Sequence, residues 1–263
     1  MLQHYTLKGI RDSNEDKDII DINQKKKTIL IGICDGHGGN ETSNYISRLM
    51  PYLFNNKYLK YPLIPKQVKL IFKNIQKKFI KNENNKFDFA YNSGCTCCLV
   101  YLRDKYFYSI NIGDTRSLAC YYNPNSKKIK IKQLSKDHKP GDYEERKRIE
   151  RKGGFVENDM GISRVQGLAV SRAFGDCDNK YITSEPDIKK YNITRDLKFI
   201  VIACDGIFDV LSNERVCDFI LQNNYDTNMN LLGSKKNSAK KLCELALQND
   251  TTDNVSCIIY FFN

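Results

Sequence analysis

A chain of 263 residues that is 41% hydrophobic can bury a substantial core, as one large domain or two small ones. No apolar run approaches the roughly 20 residues needed to cross a bilayer, and the opening MLQHYTLKGIRDSNED lacks the apolar stretch of a signal peptide. The net charge of +11 permits attraction to phosphates and acidic partners, but no basic–aromatic interleaving marks a nucleic-acid platform.

In chain order, Thr28 to Cys34 reads as a buried strand. Val68, Ile71, Phe72, Ile75 and Phe79 fall on one stripe, which predicts an amphipathic helix over Lys66 to Lys81, followed by a polar loop to Lys86. Cys95 to Leu102 and Tyr106 to Ile112 read as a hairpin turning at Arg103-Asp104-Lys105. Ser117 to Tyr122 and Lys128 to Leu134 read as another. Asp142 to Lys152 reads as a helix closed by Gly153-Gly154. Phe155 to Asp187 has little regular pattern, and a long loop inside a compact domain is more often functional than idle. Lys198 to Cys204 reads as a second buried strand, Ser212 and Ser238 as N-caps of two late helices, and Asn254 to Phe262 as a final strand. Hairpin pairs with helices in separate groups predict an α+β fold with antiparallel sheets rather than a doubly wound one.

The ten cysteines lie mostly in apolar runs, where they act as small hydrophobes. Cys95 and Cys98 have a C-x-x-C spacing, but nothing completes a structural zinc site. A reduced compartment, cytoplasmic or nuclear, is expected. The positive charge gathers in Lys25-Lys26-Lys27, Lys77 to Lys86, Lys127 to Lys132 and Lys235-Lys236, which read as solvated faces. The Lys25 to Lys27 face is expected to favour acidic or multiply phosphorylated substrates.

Acids recur at strand ends. The first buried strand runs into Asp35-Gly36, and the second into Asp205-Gly206. Ile110 to Gly113 runs into Asp114, and Asp253 precedes the last strand. Glu15 and Asp16 close Arg11-Asp-Ser-Asn-Glu-Asp. Clustered carboxylates repel one another and need a compensating cation. Hard ions such as Mg²⁺ or Mn²⁺ take oxygen ligands of this kind. Gly36 would let its carbonyl approach a metal without a side chain in the way.

These motifs together resemble the metal-dependent protein phosphatases of type 2C. Asp35 to Gly39 is similar to that family's DGHGG, and Ser93 to Thr96 to its GST-like stretch. Asn111 to Arg116 resembles NxGDSR, and Leu134 to Pro140 resembles LSxDHKP. Glu145 to Gly154 resembles ExxRIxxxGG, Leu168 to Asp176 LAVSRAFGD, and Ala203 to Val210 ACDGIWDV. Asp253-Asn254 resembles the closing DN. They occur in the family's order over nearly the whole chain.

The resemblance implies a central antiparallel β-sandwich flanked by α-helices, with a flap within about 155–187 and one catalytic domain over 1–263. It implies two Mg²⁺ or Mn²⁺ ions per subunit, with a weaker third. Asp35 would bridge the two, Gly36 and Glu15 would complete one, and Asp205 and Asp253 would hold the other. Asp114, with Asp205, would serve the third. Asp16 would orient a metal-bound water that attacks phosphorus directly, Arg11 would grip the phosphate, and His37 would protonate the leaving alkoxide. His138 is expected to be structural. The implied activity is hydrolysis of phosphoserine and phosphothreonine in phosphoprotein substrates. The expected partners include no nucleic acid and no membrane, and the expected state is a monomer. A catalytically weak scaffold of the same fold is the alternative, but it would be expected to lose metal acids that this chain keeps. The chain departs from the family's pattern at Arg164 to Gly167, one residue short before Leu168, and at Phe208, where tryptophan is usual. The run before Arg11 leaves room only for a short first strand.

Overall fold

The computed structural model describes residues 1–233 and 237–262; the expected basic pair Lys235-Lys236 lies outside them. The chain begins with β1 (Leu2–Leu7), β2 (Lys17–Asn23), β3 (Thr28–Cys34), β4 (Gly36–His37), α1 (Glu41–Phe54) and α2 (Pro65–Lys81). It continues through α3 (Phe89–Asn92), β5 (Gly94–Cys95), β6 (Cys97–Arg103), β7 (Tyr106–Ile112), β8 (Arg116–Asn123), β9 (Lys128–Gln133) and α4 (Tyr143–Arg151). After β10 (Glu157–Asp159), β11 (Ile162–Arg164), β12 (Phe174–Gly175), β13 (Asp187–Asn192) and β14 (Leu197–Ala203) come α5 (Asp205–Phe208), α6 (Asn213–Asn224), α7 (Ser238–Gln248) and β15 (Val255–Phe261).

Two five-stranded antiparallel sheets, β1-β15-β14-β8-β9 and β13-β7-β6-β3-β2, face each other. Ile31, Ile33, Cys98, Val100 and Phe107 of one sheet pack on Ala119, Ile200, Ile202 and Ile258 of the other. Alternate residues point outward. Leu30, Cys34, Leu99 and Tyr101 meet α1 and α2 through Ile46, Met50, Val68 and Phe72. Phe199, Val201 and Ala203 meet α6 and α7 through Ile220 and Leu242. Burial on both faces is why these strands read as continuous apolar runs rather than alternating ones.

The predicted hairpins and the 142–152 helix form as expected, with Asp142 at the N-cap of α4 and Gly153 at φ +79° just past its end. Ser212 Oγ accepts from the Arg215 amide and caps α6. Ser238 is not a cap: Asn237 takes that role by accepting from Lys240, and Ser238 is the first helical residue. Cys95 to Leu102 is two strands rather than one. The break is Thr96, whose Oγ1 accepts from the Asp35 amide at 3.1 Å and bonds Thr115 Oγ1 at 2.7 Å. The short first strand is six residues long and pairs with β15 along its whole length. All ten cysteines are free thiols.

The 155–187 stretch is less irregular than expected. It contains the β10–β11 hairpin and a tight turn in which Val165 and Leu168 exchange both backbone hydrogen bonds. Gln166 and Gly167 occupy that turn with φ of +48° and +83°, so the shortened segment closes as a two-residue turn with both central residues left-handed. Below it, Glu145 on α4 is 2% exposed and accepts from Arg172, Arg148 and Ser171. Arg148 also donates to the carbonyls of Ser171 and Tyr181. Burial alone would raise the pKa of Glu145, but Arg172, Ser171 and Arg148 outweigh it and hold it at about 2.

Because its pKa in the folded chain lies below the unfolded value of 4.5, Glu145 stabilises the fold above that pH, and the contribution is lost as pH falls toward 2. Glu145→Ala leaves the half-buried Arg148 without a carboxylate and Arg172 with only the partly exposed Asp187 at 3.2 Å. It is expected to cost about 3–5 kcal/mol in urea unfolding at pH 7 and to speed proteolysis within 155–187. An unfolding midpoint unchanged from wild type would refute this account of the anchor.

Candidate metal centre and active site

The strand directions bring the acids together. β3 and β7 each pair antiparallel with β6, so Asp35 and Asp114 follow strands that end on the same side. β14 pairs antiparallel with β15, so Asp205 after one and Asp253 before the other share an end. Asp16 precedes β2, whose Lys17 lies opposite Cys34.

The two Asp-Gly steps need glycine for packing. A Cβ on Gly36 would stand 2.5 Å from the carbonyl oxygen of Glu15, and one on Gly206 would stand 2.1 Å from that of Asn254. Each acid-bearing strand end is thus crossed closely by a second acid-bearing segment. Asn254 ties these segments together. Its Oδ1 accepts from the Glu15 amide at 2.9 Å, and its Nδ2 donates to the carbonyls of Lys8 and Ser13 at 2.8 and 2.9 Å. The DN motif named this residue, but only the fold reveals it as the clasp of the Arg11 to Glu15 loop.

The cluster is strongly frustrated. Burial first, then the charges of Asp16, Asp205, Asp114 and Asp253, push the Asp35 carboxyl well above its usual range. Burial and the neighbours Asp114, Asp209 and Asp253 do the same to Asp205, with Lys139 opposing. Asp114, 3% exposed, is raised by burial to about 6 even with Lys139 3.6 Å away. Asp16, 2% exposed, is also raised by burial to about 6. Neither of its carboxylate oxygens reaches hydrogen-bonding geometry with a partner, although Ser256, Cys204 and Asp35 stand near enough to restrain the rise.

Arg11 and Lys139 supply positive charge here. Arg11 Nη2 meets Asp253 Oδ2 at 2.8 Å, and its Nε donates to the Thr252 carbonyl at 2.9 Å. Lys139 lies between Asp114 and Asp209, at 3.6 and 3.7 Å. Its position in the LSxDHKP-like run was the only sequence signal for it. Glu15 stands at the edge, accepting from Ser13 Oγ at 3.0 Å and from the Gly39 amide at 3.2 Å. Among the described residues, no three His, Cys, Asp or Glu side chains converge tightly enough to hold an ion as they stand. The donor set nevertheless suits a hard divalent cation: it is all oxygen, it is charged, and it contains the unpartnered Asp16 carboxylate.

His37 Nε2 lies 2.9 Å from both oxygens of Asp176. Burial would lower its pKa, but Asp176, with Asp114 and Glu15, holds it above the ordinary value. Gly94 makes room for the pair, since a Cβ there would stand 2.2 Å from Asp176 and 2.3 Å from His37. Asp176 was visible in the sequence only as the last letter of LAVSRAFGD. His138 is fully buried; its Nδ1 accepts from the Gly113 amide at 3.1 Å, which leaves Nε2–H to donate to Asp187 at 3.3 Å. It supports the turn that carries Asp114, together with Asn111, which donates to the carbonyls of Gly113 and Lys136. Phe208 stacks under the Arg116 guanidinium, 4.5 Å from ring centre to carbon, and so fills the place where tryptophan is usual.

Comparison with known proteins agrees with this architecture. The family described as Protein phosphatase 2C matches residues 3–255. A probable protein phosphatase 2C 6 of Paramecium tetraurelia is 33% identical over 97% of this chain and 90% of its own length. The integrin-linked kinase-associated serine/threonine phosphatase 2C of Mus musculus is 32% identical over 96% and 70%. Among solved structures, a serine-threonine phosphatase 2C from Toxoplasma gondii superposes with a TM-score of 0.80 at 20% identity, covering 100% of this chain and 94% of that one. A sex determining protein of C. elegans gives 0.81 at 22% identity, covering 99% and 64%. These last two likenesses speak for the fold. The chain belongs to the protein phosphatase 2C family, the serine/threonine phosphoprotein phosphatases that generally depend on Mg²⁺ or Mn²⁺.

Proposed function

We propose that residues 1–263 form one catalytic unit that hydrolyses phosphoserine and phosphothreonine at a binuclear Mg²⁺ or Mn²⁺ centre. The observation that carries this reading is the set of crowded, mutually repelling carboxylates, with the buried Asp16 lacking a hydrogen-bond partner among them. Asp35, the Gly36 carbonyl and Glu15 would hold one ion. Asp35, Asp205 and Asp253 would hold the second, and Asp114 with Asp205 a weaker third. Bound there, such ions supply the positive charge that a phosphate dianion needs and a water acidic enough to attack at neutral pH.

The chain's own residues do the rest. Arg11, tethered through Nε and Nη2, presents its remaining donor edge to a phosphate oxygen. Asp16, with no hydrogen-bond partner to satisfy, is free to accept a proton from an attacking water. His37 has Nε2 committed to Asp176, so Nδ1 is the nitrogen that delivers a proton to the leaving alkoxide. The 155–187 stretch, anchored through Glu145, shapes access for phosphoprotein substrates. Ten free thiols support a reducing compartment, cytoplasmic or nuclear, and we read the chain as a monomer.

Phosphate release from a phosphothreonine peptide is expected to require Mn²⁺ or Mg²⁺ and to collapse in EDTA and in Asp205→Asn. A folded wild type inactive with every divalent ion would sink the reading in favour of a scaffold. His37→Gln is expected to slow the peptide reaction by about 10²–10⁴-fold while sparing 4-nitrophenyl phosphate, whose leaving group needs no proton; equal losses on both substrates would rule out the acid role.

Metal-free protein carries a distinct pH signature. Asp16 and Asp114 titrate near 6 when folded against 3.8 when unfolded, so the folded state holds more protons in that window. In EDTA the melting temperature is therefore expected to rise as pH falls from 7 to about 5. Saturating Mn²⁺ should flatten or reverse that slope. A metal-free melting temperature that falls over the same range contradicts the frustrated cluster.

A further inference from the structure

A basic concavity lies at the opposite end of the sandwich from the acids. Lys26, Lys57, Lys60 and Arg103 line a pocket of about 360 Å³. It is bounded by the β2–β3 turn, the segment between α1 and α2, and the end of β6. Along β6, six steps of about 3.3 Å separate Cys97 at the acidic end from Arg103, a distance of about 20 Å. The two sites are therefore separate.

The pocket's construction differs from that of a solvated lysine face. Its apolar lining residues Phe54, Leu63 and Tyr101 are buried, at 4%, 6% and 3% exposure, whereas its three lysines are exposed. It therefore has a hydrocarbon floor and a cationic rim. Among the described residues, Lys26, Lys57 and Lys60 meet no carboxylate, and Arg103 meets one only at 4.0 Å. Lys26 Nζ donates to the carbonyl of Asn55, and Lys57 lies over the Tyr58 ring at 5.1 Å. Arg103 stacks on the Tyr61 ring at 4.3 Å; its buried Nε lies 4.0 Å from the exposed Asp104 carboxylate, too far for a hydrogen bond, and makes none. The Tyr61 hydroxyl, which donates to the Arg103 carbonyl at 2.7 Å, holds the ring in place. A buried donor left unpaired is a standing cost that an anion would remove.

Size and polarity together narrow the ligand. The volume exceeds that of a bare inorganic anion, and the floor offers an apolar surface for the group that carries it. Several cations around one opening suit a dianion better than a single carboxylate. We propose that this pocket is a second anion site that takes a phosphate monoester borne on an apolar or aromatic stem. The ester is presented either by a phosphorylated side chain of a polypeptide or by a free small molecule. In either form it binds without being hydrolysed, because no acid of the catalytic cluster reaches it.

Phenyl phosphate is the probe, added to metal-stripped protein so that turnover is off and the acidic cluster repels the anion. Backbone amide NMR is expected to show saturable shifts at 54–63 and 101–103. Binding should weaken by about tenfold in Lys57→Ala/Lys60→Ala, which removes only exposed side chains, and by about tenfold in Arg103→Met. Thermal melting of each variant verifies that it is folded. A parallel titration uses a peptide with one phosphothreonine, against its unphosphorylated form. Tighter binding of the phosphopeptide than of phenyl phosphate assigns the site to polypeptides, and the reverse assigns it to free esters. The proposal is overturned if no saturable shift reaches the pocket by about 10 mM probe, or if the shifts persist unchanged in the double lysine variant.

Discussion

Repulsion among crowded, largely desolvated carboxylates is the constraint on which the rest of this molecule turns. Asp16 and Asp114 are buried, Asp35 and Asp205 crowd against them half-buried, and Asp253 closes the group at its more open edge against Arg11. The four inner acids would separate if they could, and each would gain hydration by doing so. They are prevented because their strands are pinned between two layers of close-packed hydrocarbon. Ile31, Ile33, Ile200, Ile202 and Ile258 lie within a few residues of the acids on the same strands. Displacing any one acid means opening that core, where interior packing is felt to a single methylene. The sandwich holds the charges together at a cost that a bound divalent cation would relieve.

The glycines and Asn254 are the local devices that make such crowding possible. Gly36 and Gly206 each leave space for a neighbouring backbone, Glu15 over one and Asn254 over the other. The Asn254 side chain then locks the two crossing segments by three hydrogen bonds. The same logic orients His37: Gly94 opens the gap in which His37 and Asp176 meet. Motifs that read as metal chemistry are thus packing requirements as well, and replacing one of these glycines would shift an acid-bearing segment as well as narrow a space.

Charge is segregated along the sandwich axis. The chain as a whole carries +11, yet the strand ends that gather the acids are rich in negative charge, tempered by Arg11 and Lys139. The opposite end gathers Lys26, Lys57, Lys60 and Arg103 around an apolar floor. A phosphorylated partner thus meets two different environments. One is negative as it stands and would attract phosphate only with cations bound; the other is positive as it stands.

Much of this was legible in the amino-acid order. Continuous apolar runs ending in Asp-Gly marked the central strands and the acids, because a strand buried on both faces needs no polar alternation. The stripe from Val68 to Phe79 marked α2. Helix α1 escaped notice, since Pro51 lies inside it and Thr42, Ser43 and Ser47 dilute its apolar face. The edge strands β2 and β13 escaped because charged residues, Lys17, Asp18 and Asp21 in one and Asp187, Lys189 and Lys190 in the other, interrupt their apolar pattern. What the sequence by itself determined was the family, the sandwich and the identity of the acids, all of which follow from local pattern and order. Only the tertiary structure decided which backbone each glycine admits, that Arg11 engages Asp253 and His37 engages Asp176, and that four distant basic residues share one pocket. Those outcomes depend on contacts between segments tens to hundreds of residues apart, and no local spacing encodes such distances.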